Sequence, residues 1–278
     1  MTREAGTAGN AETPAGRVAA LFVYPVKGLS PQRVKTLPVE PGAGVEGDRV
    51  FALARPEGRY VKGQRQPLPK DQFFMLARDA RLAGLGTHFD APTNRLTVAV
   101  REHEVLSADV STEEGERAVT AFFGRVLDCD PERPPVLARE RDRRFTDVSV
   151  VSDGMMNAVS IINMASVRDL ERRTGAYVDP LRFRANIYVD GLPAWCEREL
   201  AGEDLAIGGL RLRGVLATKR CAATEVNPET AERDLPLPRL LHAEYGHIEM
   251  GWYAEATGGH GPVFPGDRVV FGAEGDRS

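Results

Sequence analysis

Cys221 is the residue of this chain whose surroundings most clearly indicate chemistry. It directly follows two cations, Lys219 and Arg220, in the segment ATKRCAATEV. Cationic neighbours favour the thiolate over the thiol, and the thiolate is the form of cysteine that attacks electrophiles and binds metals. A cysteine can equally serve as a small buried apolar residue. The pattern therefore supports two interpretations of Cys221, a reactive thiolate and a packing residue.

A second group of polar residues alternates along the segment RFRANIYVDG. Arg182, Arg184 and Asn186 are spaced two residues apart, and the segment is rich in strand-forming residues. In a strand, these side chains would project from one face. The planar guanidinium group suits phosphate or the edge of a heterocycle. The pattern fits either a clamp for a polar ligand or a strand face in contact with solvent.

Two further cations lie beside glycines near the start of the chain. Lys27 precedes Gly28 where a predicted strand runs into a turn, and Arg49 follows a glycine-rich segment that ends at Gly47. Cations beside glycines can approach one phosphate together. The sequence contains neither a P-loop nor a GxGxxG motif, so it does not indicate a nucleotide-binding fold. Taken singly, each cation could be a solvated surface charge.

The composition of the chain indicates which kinds of ligand and structural site to expect. The chain has 278 residues and a net charge of -4, which gives no electrostatic case for nucleic acid or an anionic membrane and favours a small molecule. The three cysteines are widely spaced without a CxxC pair, so neither a disulfide framework nor a structural zinc site is indicated. We expect a cytoplasmic protein in which Cys129 and Cys196 are structural.

The first half of the chain is predicted to be β-rich. Residues 1–16 are small and polar and are expected to form a disordered tail, with no signal peptide and no membrane span indicated. Short apolar runs broken by glycine and proline then predict strands of a meander or small barrel. An apolar stripe over 113–127 predicts a helix. The proline-rich, charged segment 128–144 predicts a linker, which gives domains of 17–130 and 131–274.

The second half is predicted to alternate strands with one clear helix. The pattern predicts a short buried strand (AVSIIN), a helix (MASVRDLERRTG), a hairpin (DLAIGGLRLRGV) and a closing strand (GPVFPGDRVVF). The start of the helix is predicted from Ser166 and Asp169 as a capping pair, and its end from Gly175. The hairpin is predicted from two alternating runs around Gly208 and Gly209.

Together these segments resemble the MOSC family, whose name denotes domains similar to the carboxy-terminal part of molybdenum-cofactor sulfurase. The resemblance runs in order through YPVKG, GDRVFAL, RFRANIYVDGLPAW, the Cys221 segment with NPETAERD, GWYAEA and PGDRV. It covers nearly the whole chain from Arg17 to Phe271 and includes similarity to bacterial stand-alone members and to the mitochondrial amidoxime reducing component. It implies a mixed α/β, β-rich fold of two β-barrel-like domains, an N-terminal MOSC-associated barrel and a MOSC barrel, with a few helices.

The resemblance also implies a site for a molybdenum cofactor, a molybdopterin that carries molybdenum, between the two domains. Cys221 matches the cysteine that ligates the metal and is the implied catalytic residue. The other matching positions are implied to bind the cofactor: Lys27 and Arg49 at its phosphate, Arg184 and Asn186 at its pterin, and Tyr253 near the cofactor. One position departs from the family, because the residue after the lysine is often serine and here it is Gly28.

The implied function is that of an oxidoreductase that reduces N-hydroxylated or N-oxygenated small molecules by oxygen-atom transfer. Its electrons would come from a separate flavin or iron-sulfur protein. Two other functions use the same thiolate and cations, namely a non-catalytic carrier of the molybdenum cofactor and a protein that transfers sulfur as a Cys221 persulfide. A β-barrel interaction protein without a cofactor is a further alternative. Neither nucleic acid nor a membrane is expected as a partner.

Overall fold

The computed structural model describes residues 15–64, 66–141 and 143–272 of the chain. In these ranges the β-strands, in chain order, are β1 Ala15–Val23, β2 Gln32–Arg33, β3 Val39–Glu40, β4 Gly44–Val45, β5 Phe51–Ala54, β6 Gly86–Asp90, β7 Arg95–Val100, β8 His103–Asp109, β9 Val136–Arg139, β10 Val159–Asn163, β11 Ile187–Asp190, β12 Asp204–Ile207, β13 Leu210–Lys219, β14 Glu249–Gly259 and β15 Arg268–Phe271. The α-helices are α1 Glu113–Val126, α2 Asp153–Met156, α3 Met164–Thr174 and α4 Leu237–Tyr245. Short 3-10 helices cover Lys70–Gln72, Ala80–Gly84, Pro180–Phe183, Cys196–Glu199 and Ala222–Glu225.

Seven strands close into a barrel that contains most of the second half of the chain. Their order is β11, β10, β14, β13, β12, β15 and β1, and the ring closes where β1 pairs with β11. β10 and β11 are parallel, whereas the other neighbours are antiparallel. The interior is filled by apolar side chains that include Leu21, Ile161, Leu212 and Trp252, each at most 1% exposed. Alternate positions of the strands supply this core, as the period of two requires, except in β1, where a register shift separates Val18 from Leu21.

The first half forms a second, smaller β-rich unit. β6, β7 and β8 make an antiparallel sheet, β5 pairs with β9, and β3 pairs with β4. α1 buries Val119 and Phe123 in the core of this unit. Thr112 caps the helix by accepting the N–H of Gly115 at 3.0 Å. The helix predicted from Glu113 is confirmed, and so is the β-rich mixed fold of two barrel-like domains with few helices.

Strand pairing divides the chain differently from the predicted boundary between residues 130 and 131. β1 precedes that boundary but pairs with β11 and β15 of the seven-stranded barrel. β9 follows the boundary but pairs with β5 of the first unit. The predicted linker over 128–144 therefore contains a strand, because its apolar residues complete a buried sheet. Each half contributes one strand to the other, which ties the two units together.

The predicted tail falls largely on residues 1–14, which lie outside the described residues. Its last two residues, Ala15 and Gly16, begin β1 and pair with Val270 and Val269 of β15. The barrel therefore starts two residues earlier than predicted. In the part of the chain that the structure describes, no helix combines the length and the apolarity needed to cross a membrane.

The local predictions for the second half are confirmed except at the start of α3 and at the arginine-rich segment before β11. β12 and β13 form the predicted hairpin, β15 is the predicted closing strand, and Gly175 ends α3 with φ of 67°. The predicted capping role of Ser166 is wrong, because Asn163 accepts the N–H of Ala165 at 3.0 Å and caps the helix. Ser166 lies inside α3, where its hydroxyl donates to Glu197 at 2.9 Å.

Candidate functional site

A cavity of about 560 Å³ lies where the two units meet. This volume falls in the range of about 300–1,000 Å³ that is typical of small-molecule and cofactor sites. All of the residues predicted to form the site line this cavity: Lys27, Arg49, Arg184, Asn186, Cys221 and Tyr253. The fold thus brings together residues from both halves of the chain.

The wall of the cavity is strongly cationic although the whole chain carries a net charge of -4. Among the described lining residues, seven have a positive side chain and two have a carboxylate. The cations are Lys27, Arg49, Lys70, Arg182, Arg184, Lys219 and Arg220, and the carboxylates are Asp147 and Glu249. A concave wall with an excess of one charge concentrates ligands of the opposite charge, so this cavity favours an anion.

Lys27 is held at the cavity wall by a carbonyl group and a carboxylate. It follows Val26, which forms a β-bridge with Phe51, and it is only 5% exposed. Its Nζ donates to the carbonyl oxygen of Phe145 at 3.1 Å and forms an ion pair with Asp147. Burial lowers the pKa of Lys27, and Asp147 offsets part of that change. Burial alone would raise the pKa of Asp147, but the contact with Lys27 lowers it well below its ordinary range. An anion that reaches Lys27 therefore competes with this carboxylate.

Arg49 and Arg184 both adopt a left-handed backbone conformation, with φ of 50° and 53°. This region is uncommon for residues other than glycine and is found preferentially at functional sites. The Arg49 guanidinium donates to the carbonyl oxygen of Arg184 at 3.0 Å and forms an ion pair with Asp48. The Arg184 guanidinium donates to the carbonyl oxygen of Leu29 at 2.6 Å, and burial lowers its pKa. Both arginines are thus fixed in the wall by contacts with the protein.

The strand predicted over RFRANIYVDG is confirmed only at Ile187–Asp190, and the arginine-rich part that precedes it is not a strand. Pro180–Phe183 forms a 3-10 helix, and Asp179 starts it by accepting the N–H of Leu181 at 2.8 Å. Proline favours the first position of a helix because its φ is already helical and it lacks an N–H. Arg182 lies in this helix, where it pairs with Asp234 at 2.6 Å. The prediction of three polar side chains on one strand face is therefore wrong, although all three residues reach the cavity.

Asn186 faces the cavity, but its side chain is bonded to the protein. Its amide nitrogen donates to the carbonyl oxygen of Phe22 at 3.2 Å and to Asp48 at 2.9 Å, and its Oδ1 accepts the N–H of Ser160 at 3.2 Å. The same Asp48 carboxylate is 3% exposed and also accepts the N–H of Tyr24 at 2.8 Å. This geometry gives Asn186 a bracing role in the wall, and its predicted contact with a pterin stays a prediction.

Cys221 lies where β13 passes into a 3-10 helix, and it lines the cavity as a partly exposed residue. Its carbonyl oxygen accepts the N–H of Thr224 at 3.0 Å and the hydroxyl of Thr224 at 2.9 Å. The preceding Arg220 donates to the carbonyl oxygen of Met250 at 2.8 and 2.5 Å and to that of Phe183 at 3.0 Å. These contacts fix the backbone on both sides of the thiol.

The other two cysteines have the environment of structural residues. Cys196 packs against the core of the seven-stranded barrel, and burial raises its pKa to about 12. Cys129 packs against the core of the first unit, and burial raises its pKa as well. A thiol that resists deprotonation is a poor nucleophile and a poor metal ligand. Cys221 differs from both of them because it lines the cavity, whereas they pack against the two cores.

Two hydroxyl groups in the cavity wall lack a hydrogen-bond partner among the described residues. The Oγ1 atoms of Thr146 and Thr218 are buried and unpaired, and both residues line the cavity. Tyr253 lines the same cavity from β14, where it lies opposite Ser160 and Leu216, and burial raises its pKa. Buried polar atoms in proteins are normally paired. The two hydroxyl oxygens have almost no accessible surface, so the excess of cations in the wall is the feature that fits a ligand, and it fits an anionic one.

Sequence reasoning missed four residues that shape this site: Asp48, Thr146, Asp147 and Thr218. Asp48 lies between Gly47 and Arg49 in the GDR segment, so the sequence could have indicated it as a partner of Arg49. The other three follow no local pattern. They become visible only when the chain is folded and distant segments meet.

The Gly28 backbone adopts a conformation that disfavours serine, the residue that the resemblance implies at this position. Gly28 has φ of 81°, and a Cβ there would lie 3.3 Å from Leu82 Cδ1 and from the carbonyl oxygen of Phe74. We expect Gly28→Ser to lower the free energy of unfolding by about 1–2 kcal/mol, because residues with a Cβ are strained at positive φ. Urea denaturation measures this loss.

Gly42→Ser is a matched control, since Gly42 has φ of 75° and no atom lies within 4 Å of the added Cβ. It should show the cost of the backbone conformation alone and therefore a smaller loss than Gly28→Ser. A Gly28→Ser protein as stable as the wild type would contradict this account of the glycine.

Comparison with known protein families gives two matches along the chain. The MOSC N-terminal beta barrel domain matches residues 15–129, and the MOSC domain matches residues 148–270. These two ranges contain most of the two units that meet at the cavity, although β1 of the first range pairs in the seven-stranded barrel and β9 lies between the ranges.

Individual relatives span most of the chain at low identity. Mitochondrial amidoxime-reducing component 1 of Mus musculus is 25% identical over 282 residues, which cover 92% of this chain and 82% of that protein. The Homo sapiens protein of the same name is 26% identical over 244 residues, which cover 81% of this chain and 71% of that protein. The crystal structure of the YuaD protein from Bacillus subtilis is similar with a TM-score of 0.43 at 12% identity, over 92% of this chain and 95% of that one. With two adjacent domain matches and relatives that align along both, the chain belongs to the MOSC-domain proteins and carries a MOSC N-terminal beta barrel domain ahead of its MOSC domain.

Proposed function

We propose that this protein is a molybdenum-cofactor-dependent oxidoreductase that reduces N-hydroxylated or N-oxygenated small molecules. The observation that supports it most is a single cavity that combines Cys221 with a strongly cationic wall. A phosphate-bearing pterin needs cations and hydrogen-bond donors, and its metal needs a soft anionic ligand. The name of the mouse and human relatives, amidoxime-reducing component, is consistent with this reaction class.

The residues in the wall fit such a cofactor. In this proposal Lys27 and Arg49 hold its phosphate, Arg184 and Tyr253 contact its pterin, and Cys221 ligates molybdenum. When bound, the cofactor supplies the two-electron chemistry that removes oxygen from an N–O bond.

The protein's own contribution is to hold charges in place before a ligand arrives. Carbonyl oxygens fix the guanidinium groups of Arg184 and Arg220, and the turn at Thr224 fixes the backbone of Cys221. Preorganised charges in a partly enclosed cavity act more strongly than the same groups do in water. The chain thus orients the cofactor and the substrate and keeps much of the solvent away from them.

The reaction also defines a partner. Reduction of an N–O bond to N–H and water consumes two electrons and two protons. We propose that a separate flavin or iron-sulfur protein supplies the electrons through a transient complex. We also propose a cytoplasmic location, where the three free cysteines would stay reduced.

Metal content and turnover together test this function. The chain is expressed in a host that makes the cofactor, its molybdenum and pterin are quantified, and amidoximes and hydroxylamines are assayed with reduced viologen as the electron donor. We expect close to one molybdenum per chain and turnover of at least one of these substrates. Molybdenum without any turnover would instead favour cofactor carriage, and a Cys221 persulfide without molybdenum would favour sulfur transfer. Absence of all three would leave a β-barrel interaction protein.

Leu216 offers an apolar contact to the substrate. It lies opposite Tyr253, lines the cavity and is 39% exposed. We expect Leu216→Gln to raise KM for an aromatic amidoxime about tenfold, because an apolar contact of this size contributes on the order of 1–3 kcal/mol. The KM for a small polar hydroxylamine should stay within about twofold, since that substrate gains little from apolar burial.

Steady-state kinetics with both substrates give the comparison. Leu216→Met conserves volume and apolarity, so it should behave like the wild type. An equal rise of KM for both substrates would show that the cavity has lost its shape rather than one apolar contact.

A further inference from the structure

Tyr24 is a buried aromatic residue that the proposed function leaves without a role. It stands in the YPVKG segment and is 0% exposed. Two guanidinium groups lie over its ring, with the Cζ of Arg184 at 4.5 Å and that of Arg49 at 4.8 Å from the ring centroid. We infer that Tyr24 is a positioning residue whose ring holds these two arginines at the cavity wall. The inference deepens the proposed cofactor site and rests on it.

Two neighbouring arginines need such a support because like charges repel. Burial and the nearby Arg49 both lower the pKa of Arg184. The negative face of an aromatic ring attracts a guanidinium group. A neutral ring therefore adds to the support that Arg49 receives from the Asp48 carboxylate, and it does so without a second negative charge that would repel an anionic ligand. The wall keeps its positive charge while its arginines stay fixed.

Backbone contacts set the position of the Tyr24 ring relative to both arginines. The carbonyl oxygen of Tyr24 accepts the N–H of Arg49 at 2.7 Å, and the N–H of Tyr24 donates to Asp48 at 2.8 Å. The Arg49 guanidinium in turn donates to the carbonyl oxygen of Arg184 at 3.0 Å. These contacts link Tyr24 to Arg49 and Arg49 to Arg184, and both guanidinium groups also contact the ring, so a change in the ring should alter their spacing.

The hydroxyl of Tyr24 belongs to a different set of contacts. It lies 3.4 Å from the hydroxyl of Tyr188, which accepts the N–H of Ala185 and donates to the carbonyl oxygen of Pro180, each at 3.3 Å. Burial raises the pKa of Tyr24, so its ring stays neutral at physiological pH. The ring rather than the hydroxyl therefore positions the arginines, and Tyr24→Phe should retain this role.

Fluorinated phenylalanines at position 24 test the ring at nearly constant size, because each fluorine weakens the negative potential of its face. The full-length chain, produced without cofactor, is titrated with pyrophosphate by isothermal calorimetry. We expect Tyr24→Phe to bind within about twofold of the wild type and increasing fluorination to weaken binding stepwise, to about tenfold for the most fluorinated ring. Pterin content after production in a cofactor-making host should fall in the same order. Equal affinity across the series would overturn the inference.

Tyr188 provides a matched control because it is also buried, at 3% exposed, and contacts the Tyr24 hydroxyl. Tyr24→Leu and Tyr188→Leu should lose similar thermal stability, whereas only Tyr24→Leu should lose pyrophosphate affinity. Equal losses of affinity would also overturn the inference. A wild-type chain that binds neither pyrophosphate nor molybdenum would reject the proposed cofactor site together with the inference. If the wild type binds pyrophosphate and all fluorinated variants bind it equally well, the inference about Tyr24 is rejected and the proposed cofactor site is not.

Discussion

Replacing Cys221 with alanine should remove molybdenum from the protein and abolish reduction of N-hydroxylated substrates. Residues that merely support a metal ligand typically contribute about 10–100-fold to metal affinity or activity, so loss of the ligand itself should cost more than about 100-fold. Cys221 is partly exposed at the cavity and is not part of a buried core cluster, so the fold should persist without its thiol. Mass spectrometry of molybdenum and a turnover assay measure the two losses, and circular dichroism checks the fold.

Two further variants separate ligation from packing. Cys129→Ala removes a thiol that packs against the first unit, and it should keep wild-type molybdenum content and turnover. Cys221→Ser keeps the size of the side chain but replaces a soft sulfur donor by a poor one, so it should lose molybdenum nearly as fully as Cys221→Ala. Molybdenum retained in full by Cys221→Ala would exclude this residue as the metal ligand.

The elements that the sequence predicted correctly are those whose stability depends on near neighbours. The hairpin of β12 and β13 follows from alternation around Gly208, which has φ of 56°. α3 ends at Gly175, and α1 begins with three acidic residues behind the Thr112 cap. Each signal lies within a few residues, so one segment contains the information that specifies it.

Pairing between distant segments could not be predicted in this way. β1 was predicted as a strand of the first unit and β9 fell within a predicted linker, yet each joins the sheet of the other unit. Alternation in RFRANIYVDG had the period of a strand, and Ile187–Asp190 is one, but Pro180 and the Asp179 cap begin a 3-10 helix that includes Arg182. An alternating pattern predicts which positions of a strand are polar, but it does not predict which other segment packs against that strand.

The candidate site shows the same limit. Its predicted residues all line one cavity, yet the residues that hold them were missed. Lys27 pairs with a carboxylate 120 residues away, and Asn186 contacts Asp48 across 138 residues. The local sequence can indicate which charged side chains belong to the site. Their positions relative to one another depend on contacts between segments that are distant in the chain.

Asp48→Ala should be strongly destabilising, with a loss of about 4 kcal/mol in the free energy of unfolding. The Asp48 carboxylate is 3% exposed, accepts hydrogen bonds from the Tyr24 N–H and the Asn186 amide, and forms an ion pair with Arg49. Its removal leaves a buried guanidinium group without a counter-charge and a buried N–H without an acceptor. Urea unfolding followed by circular dichroism measures the loss.

Asp128→Ala is the control, because Asp128 pairs with Arg81 where both side chains are exposed, at 75% and 54%. Exposed pairs contribute less than about 1 kcal/mol, so this variant should be nearly as stable as the wild type. Asp48→Asn keeps an acceptor for the Tyr24 N–H but no charge for Arg49, and it should lose about half as much as Asp48→Ala. If Asp48→Ala costs no more than Asp128→Ala, carbonyl oxygens alone suffice to hold the cations. A larger loss for Asp48→Ala would show that the charged contacts at the cavity stabilise the folded chain. Equal losses would show that the exchange of β1 and β9 holds the two units together without them.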